Sequence, residues 1–315
     1  MRASIAGHLS ICRFDHWFKN VFVLPGILVA VALEPSALSW SIVPRALLGL
    51  LAIGLVASSN YVVNELRDAE FDRHHPTKRR RPVPSGRVNE PLAYLQWLLL
   101  GALGIGLGLS VSFPFAMVML ALWVMGCIYN LKPIRTKDLP YVDVISEAVN
   151  NPLRLLAGWF IVGPEAIAPA SLLISYWMVG CYFMAIKRFA EYRHIGDPER
   201  AASYRRSFAY YTDDRLLISI MFYASAAMLL FGVFIARYRL SLVLSVPFVA
   251  LVMALYLQLG LRDDSPVQNP EALYRQGALI AAVAVCALVM TGCLFVDFPW
   301  LYDLFAPTAP VNPLT

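Results

Sequence analysis

The feature that most restricts this chain is the length of its apolar runs. About nine stretches of roughly 18 to 22 residues each match what an α-helix needs to cross about 30 Å of hydrocarbon. Hydrophobic residues make up 59% of the 315 positions and charged residues only 15%, against the roughly 25% charge of a soluble domain. One water-soluble core cannot hide that much apolar surface. The expected fold is therefore an all-α integral membrane protein with nine transmembrane helices, over residues 20–37, 43–63, 92–111, 114–131, 141–162, 168–189, 215–236, 240–260 and 277–297. Pro25 and Glu34 interrupt the first span. The fifth carries Asp143, Glu147, Asn150, Asn151 and Arg154, so it belongs inside the bundle, because such groups are costly against lipid.

The basic residues orient the bundle. Of 26 Lys plus Arg, 22 fall on one side of a nine-span topology, only Arg45, Arg237 and Arg239 fall on the other, and Arg154 lies within the membrane. The positive-inside rule then places the N-terminus in the cytosol and the C-terminus outside. The expected organisation is an interfacial N-terminal segment, 1–19, and a single membrane domain, 20–297. That domain carries cytosolic catalytic loops at about 65–91 and 132–141 and an amphipathic lid at about 190–214, and an extracytoplasmic tail, 298–315, follows it. The first 20 residues show no cleavable signal pattern. Cys12, Cys127, Cys181, Cys286 and Cys293 lack metal-ligand spacing and read as small apolar fillers. The net charge of +5 sits in loops between spans. It points to lipid headgroups or a phosphorylated substrate rather than to nucleic acid.

Two polar segments carry the chemistry. The first reads N64-E-L-R-D-A-E-F-D72, followed by R-H-H-P-T-K-R-R-R-P-V-P-S-G86. On a helix continuing from the second span, Asn64, Asp68 and Asp72 recur every fourth residue and fall near one face, with Glu65 beside them. Such a ladder aims hard oxygen ligands at Mg²⁺, which takes the rest of its shell from water and substrate phosphates. The bland alternative is a solvated helix end. The second segment, Y129-N-L-K132-P-I-R135-T-K137-D138-L-P-Y141-V-D143-V-I-S-E147, places Asp143, Glu147 and Arg154 at helical spacing along the fifth span. Two acidic helix ends on one membrane side repel each other unless cations bridge them.

Positive charge surrounds both. Lys78, Arg79 and Arg81, within a proline-shaped loop, and Lys132 and Arg135 suit phosphate oxygens. At the end of the sixth span, Lys187 and Arg188 are further phosphate candidates, with Glu191 one turn from Lys187 as its pairing partner. Arg154 reads either as a substrate contact or as an internal partner of Glu147. His16, His74, His75 and His194 read as interface or loop residues, His74 and His75 being candidate phosphate contacts.

These segments resemble the UbiA superfamily of intramembrane prenyltransferases, which are nine-helix bundles with two Asp-rich motifs for Mg²⁺ and a diphosphate. Asn64, Glu65, Asp68 and Asp72 match the first motif, and Asp143 and Glu147 the second, with Glu65 and Glu147 standing where the family usually has Asp. F14-D-H-W-F-K-N20, H75-P-T-K-R79, R81-P82, Y129-N-L-K132, L153-R-L-L-A-G158 and K187-R-F-A-E191 look like the decaprenyl-phosphate phosphoribosyltransferase branch.

The resemblance implies Mg²⁺-dependent transfer of 5-phosphoribose from 5-phosphoribosyl 1-diphosphate to a polyprenyl phosphate. It makes Asn64, Glu65, Asp68, Asp72, Asp143 and Glu147 the metal ligands. Asp68, Asp72, Asp143, Lys132 and Tyr129 are then the catalytic set, and Asn64, Lys78, Arg79, Arg81, Lys132, Arg135, Arg154, Lys187 and Arg188 contact substrate. Transfer of an isoprenoid chain from a prenyl diphosphate to an aromatic or lipid acceptor uses almost the same site and is the nearest alternative. A transporter of anionic substrates is the alternative of another class. Homo-oligomerisation is left open.

Overall fold

The computed structural model describes residues 3–73, 78–164, 166–268 and 273–306, apart from the side chains of Phe71 and Lys78. Among them the chain is all helix and connecting loop, an integral membrane bundle. Eight helical stretches are long and apolar enough to cross a membrane. A short α1 (Ile5–Ser10) leads through a 3₁₀ segment, Phe14–Val23, into α2 (Leu24–Leu33). Pro25 does not break this span. It lies in the first turn of α2, where the missing N–H has no intrahelical partner to lose. The helix ends at Leu33 rather than at 37, because Pro35–Ala37 forms a separate 3₁₀ turn.

The second span is longer than its apolar run. α3 (Ile42–Asp72) continues unbroken through the first acidic motif. α4 (Glu90–Val111) and α5 (Phe113–Asn130) follow, started by the Asn89 and Ser112 side chains, which accept from the Leu92 and Phe115 backbone N–H groups at 3.1 and 3.2 Å. The expected fifth span, 141–162, is two pieces, α6 (Val142–Ala148) and α7 (Asn150–Val162), meeting at Val149. Neither piece, of 7 and 13 residues, counts among the eight long apolar helices. α7 ends at Gly163, whose φ of +92° terminates the helix in left-handed geometry.

α8 (Ala170–Ile195) also ends on a left-handed glycine, Gly196. The segment expected as a lid then holds α9 (Pro198–Tyr204), capped by Asp197, and a 3₁₀ turn, Arg206–Ala209. α10 (Asp213–Tyr238), α11 (Val246–Gly260), α12 (Gly277–Phe295) and a short α13 (Pro299–Leu304) complete the chain.

α3 packs along α4 and α5, α8 along α10, and α2 along α7. At the last crossing two glycines let the backbones touch. A Cβ at Gly26 would run into the Leu155 carbonyl, and one at Gly158 into the Val23 carbonyl. Large apolar side chains stay exposed on outer faces, Leu103 and Leu109 on α4, Ile218 and Leu229 on α10 and Leu288 on α12, as lipid-facing surfaces require. The five cysteines are free.

Candidate active site

The site grows from the polar end of α3, where three helical turns carry Asn64, Asp68 and Asp72. Each is met by a different element. Asn64 Nδ2 donates to Asn130 Oδ1 at the end of α5, 2.7 Å away. Asp68 receives the Lys137 ammonium and, at 3.2 Å, the Arg135 guanidinium. Asp72 receives Arg81 from the following loop at 2.7 Å. Arg135 is held in turn by Asp138, at 3.1 Å, and by the Arg67 and Asn130 carbonyls. The loop 131–141 presents these groups through left-handed backbone at Arg135 and Tyr141. Burial brings the Lys137 ammonium down to about 8, against the opposing pull of Asp68.

Arg188 organises a second cluster. Its side chain is 2% exposed and reaches three carboxylates at once: Asp143 at 3.1 Å, Glu147 at 2.7 Å and Glu191 at 3.1 Å. Tyr129 adds an O–H donated to Glu147 at 2.8 Å. Asp143 is wholly buried and also accepts from Ser207 at 3.2 Å and Tyr211 at 2.6 Å. Ser207 and Tyr211 belong to the segment after α9, so Asp143 ties that segment to the bundle. Burial, with the Asp143 carboxylate second, holds the Tyr211 phenol above its ordinary range and keeps it a donor.

The clusters meet at Arg205. Its guanidinium lies 3.9 Å from Asp143 and shares a small polar cavity of about 60 Å³ with Asp68, Asp72, Arg135, Lys137 and Arg206. The two acidic segments therefore occupy the same end of the bundle. A second cavity, of about 290 Å³, opens among α2, α7, α8, α10, α11 and α12 and is apolar. Leu172, Tyr176, Val179 and Phe183 line it along α8, and the next turn of that helix carries Lys187 and Arg188.

Several expected site residues stand elsewhere. Glu65 is buried, and its carboxylate accepts the Val83 N–H at 3.0 Å, bracing the loop after α3. Arg154 does not pair with Glu147, whose Oε2 instead takes Arg188 and Tyr129. Lys187 is half-buried, while Lys132 and Arg79 are exposed. His74, His75 and the Lys78 side chain lie outside the described residues. Conversely, the sequence reading left Lys137, Glu191, Ser207, Tyr211 and above all Arg205 out of the site. Lys137 lies in the second polar segment beside the expected Arg135, while for the other four the only signal was the charge-rich segment 187–214, where nothing in the spacing says which residue turns inward.

Mg²⁺ fits the donor chemistry here. Among the described residues no three His, Cys, Asp or Glu side chains converge on one metal position. Mg²⁺ asks for less, one or two carboxylates with phosphate and water oxygens completing the octahedron. Asp68 and Asp72, one turn apart on the same cavity, supply that.

Residues 22–280 match the sequence profile of the UbiA prenyltransferase family. The chain is 29% identical over 230 residues to the decaprenyl-phosphate phosphoribosyltransferase of Mycobacterium tuberculosis, covering 72% of this chain and 73% of that one. It is 30% identical over 212 residues to the enzyme of that name from Corynebacterium glutamicum, covering 65% and 60%. Its fold is similar to that of a UbiA homolog from Archaeoglobus fulgidus bound to DMAPP and Mg²⁺, with a TM-score of 0.69 and 21% identity over 90% of this chain and 99% of that one.

Proposed function

This chain belongs to the UbiA prenyltransferase family, and from that premise we propose that it catalyses a Mg²⁺-dependent transfer in which a diphosphate leaves a carbon able to carry positive charge. The observation that carries this reading is the convergence of Asp68, Asp72, Arg135, Lys137, Arg205 and Arg206 on one cavity at the polar end of a membrane bundle. The 22-to-3 distribution of basic residues supports a cytosolic position for that end.

Asp68 and Asp72 would hold Mg²⁺, with Asn64 on the preceding turn, and the ion would supply charge to the departing diphosphate. The ammonium and guanidinium groups that neutralise these carboxylates are positioned to take phosphate oxygens in exchange. Arg135, Lys137 and Arg205 bind and orient the diphosphate, and Arg81 approaches from the loop after α3. Asp143 and Glu147 hold Arg188 and the lid segment behind the cavity. No side chain is asked to remove a proton from a phosphate acceptor, which is already anionic.

Two donors satisfy this chemistry. Isoprenoid transfer from a prenyl diphosphate to an aromatic or lipid acceptor is our leading reading. It is supported by the DMAPP and Mg²⁺ bound in the Archaeoglobus homolog and by an apolar cavity of about 290 Å³, suited to an isoprenoid chain, in the bundle that also carries the polar one. Phosphoribosyl transfer from 5-phosphoribosyl 1-diphosphate to a polyprenyl phosphate is the second, supported by the names of the mycobacterial and corynebacterial relatives. It puts the lipid tail in the same apolar cavity.

Purified protein with Mg²⁺, given each labelled donor and its acceptors in parallel, separates the two. Label only in the polyprenyl-phosphate product replaces the leading reading by the second. Asp68→Asn and Asp72→Asn are each expected to lower Mg²⁺-dependent transfer about a thousandfold in folded, membrane-inserted protein. Full activity in both would remove the site assignment.

A further inference from the structure

Arg154 is a charge without a counter-charge. It sits in the second turn of α7, about 16 Å along the helical rise from Asp143, well inside the membrane-spanning part of the chain. Its Nη1 makes one long contact, 3.4 Å, to the Asn150 carbonyl of its own helix. Its Nε is buried without a hydrogen-bond partner among the described residues, and so is the Asn150 side-chain oxygen one turn away. Arg154 forms no ion pair within 4 Å among the described residues, whereas Arg188, one helix away, has three.

A half-buried guanidinium on a membrane-spanning helix, its Nε without a partner among the described residues, is costly. Such a group persists where a ligand completes it. The surroundings say what kind of ligand. The neighbouring residue on α7, Leu155, lines the apolar cavity, as does Tyr176 of α8, whose hydroxyl donates to the Phe22 carbonyl at 3.4 Å, and the Tyr61 and Tyr176 phenols, both uncharged, stand near Arg154. The group that satisfies Arg154 is therefore an oxyanion arriving with an apolar body. It lies deeper than the cavity that takes the diphosphate.

We propose that Arg154, with Asn150 and Tyr176, seats the anionic headgroup of the acceptor, a phosphate or a carboxylate, beneath the diphosphate cavity and at the mouth of the apolar one. This rests on the transfer reaction proposed above and deepens it: the enzyme selects a charged acceptor over a neutral one. Two anion seats at different depths place leaving group and acceptor on opposite sides of the reacting carbon.

The test uses the full chain in detergent with EDTA and no donor, in an Asp68→Asn background that silences the upper seat. Farnesyl phosphate and 4-hydroxybenzoate represent the two headgroup sources, and farnesol is the neutral control. Binding is read by intrinsic tryptophan fluorescence, with thermal stability measured alongside. Arg154→Met is expected to weaken one anionic probe about 30-fold, while Arg154→Lys retains most of the affinity and farnesol binding is unchanged. Because an uncompensated charge is being removed, the melting temperature of Arg154→Met is expected to equal or exceed the parent's. The probe that loses affinity identifies the headgroup.

The inference is overturned if Arg154→Met binds both anions as the parent does, if farnesol weakens equally, if neither anion binds the parent, or if the variant is markedly less stable, which would make Arg154 a structural residue. Failure of the transfer reading shows separately, as undiminished turnover by Asp68→Asn.

Discussion

Replacing Arg188 by Met tests whether this residue is a structural clasp rather than a freely available substrate ligand. Its guanidinium, 2% exposed, neutralises side chains that are 0% (Asp143), 16% (Glu191) and 33% (Glu147) exposed. Breaking one buried pair costs about 3–5 kcal/mol, because the abandoned charge stays buried. Asp143 bears that cost, softened by the hydroxyls of Ser207 and Tyr211. Glu147, a third exposed and still bonded to Tyr129, adds about 1 kcal/mol or less. The expected destabilisation is therefore about 4 kcal/mol, read from SDS-induced unfolding of purified protein in mixed micelles. Asp143→Asn in the Arg188→Met background removes the orphaned charge and is expected to recover about 2 kcal/mol, a coupling that a double-mutant cycle measures directly. If Arg188→Met unfolds within about 1 kcal/mol of the parent, or the cycle shows no coupling, the clasp is not what holds these helices.

Tyr211→Phe removes the 2.6 Å bond to Asp143 and the acceptor for the Tyr141 N–H. About 1–3 kcal/mol is expected to be lost, with faster limited proteolysis within 197–210, and unchanged protection would refute the latch. Lys137 releases its proton at about 8, below the 10.5 of an ordinary lysine. Between those values the unfolded chain binds more protons than the native one, so this group makes stability rise with pH across that window. In EDTA, Lys137→Met is expected to flatten that rise, and parallel pH curves for parent and variant would contradict the assignment. Gly158→Ala drives a methyl into the Val23 carbonyl and is expected to cost about 1–3 kcal/mol, whereas Gly232→Ala, with open space around it, is the neutral control. Equal effects at the two positions would dismiss the close helix crossing.

Much of the architecture was readable along the chain. Apolar run length located eight spans as apolar helices, and the four-residue spacing of Asn64, Asp68 and Asp72 anticipated that α3 would run on past the hydrocarbon. Periodicity also flagged the fifth span as the polar one, although it presented as one helix what the fold makes as two, α6 and α7. Pro25 was misread as a helix breaker, because residue type alone does not show that it stands in a helix's first turn.

Pairings were another matter. From spacing, Glu147 had Arg154 as an equally reasonable partner, and Lys187 had Glu191, since both lie on the same helical line. The fold gives Glu147 to Arg188, sets Glu191 beside Arg188 as well as within the field of Lys187, turns Glu65 toward a loop backbone, and brings Arg205 from the end of α9 to the point where both acidic segments converge. Membrane insertion, helix phase and charge asymmetry depend on residues close together in the chain, so the sequence alone determined them. Which charge neutralises which depends on how α3, α5, α8 and the segment after α9 approach one another. That approach is set by close packing between elements, such as the Gly26 backbone against the Leu155 carbonyl, which leaves no periodic trace in any one segment.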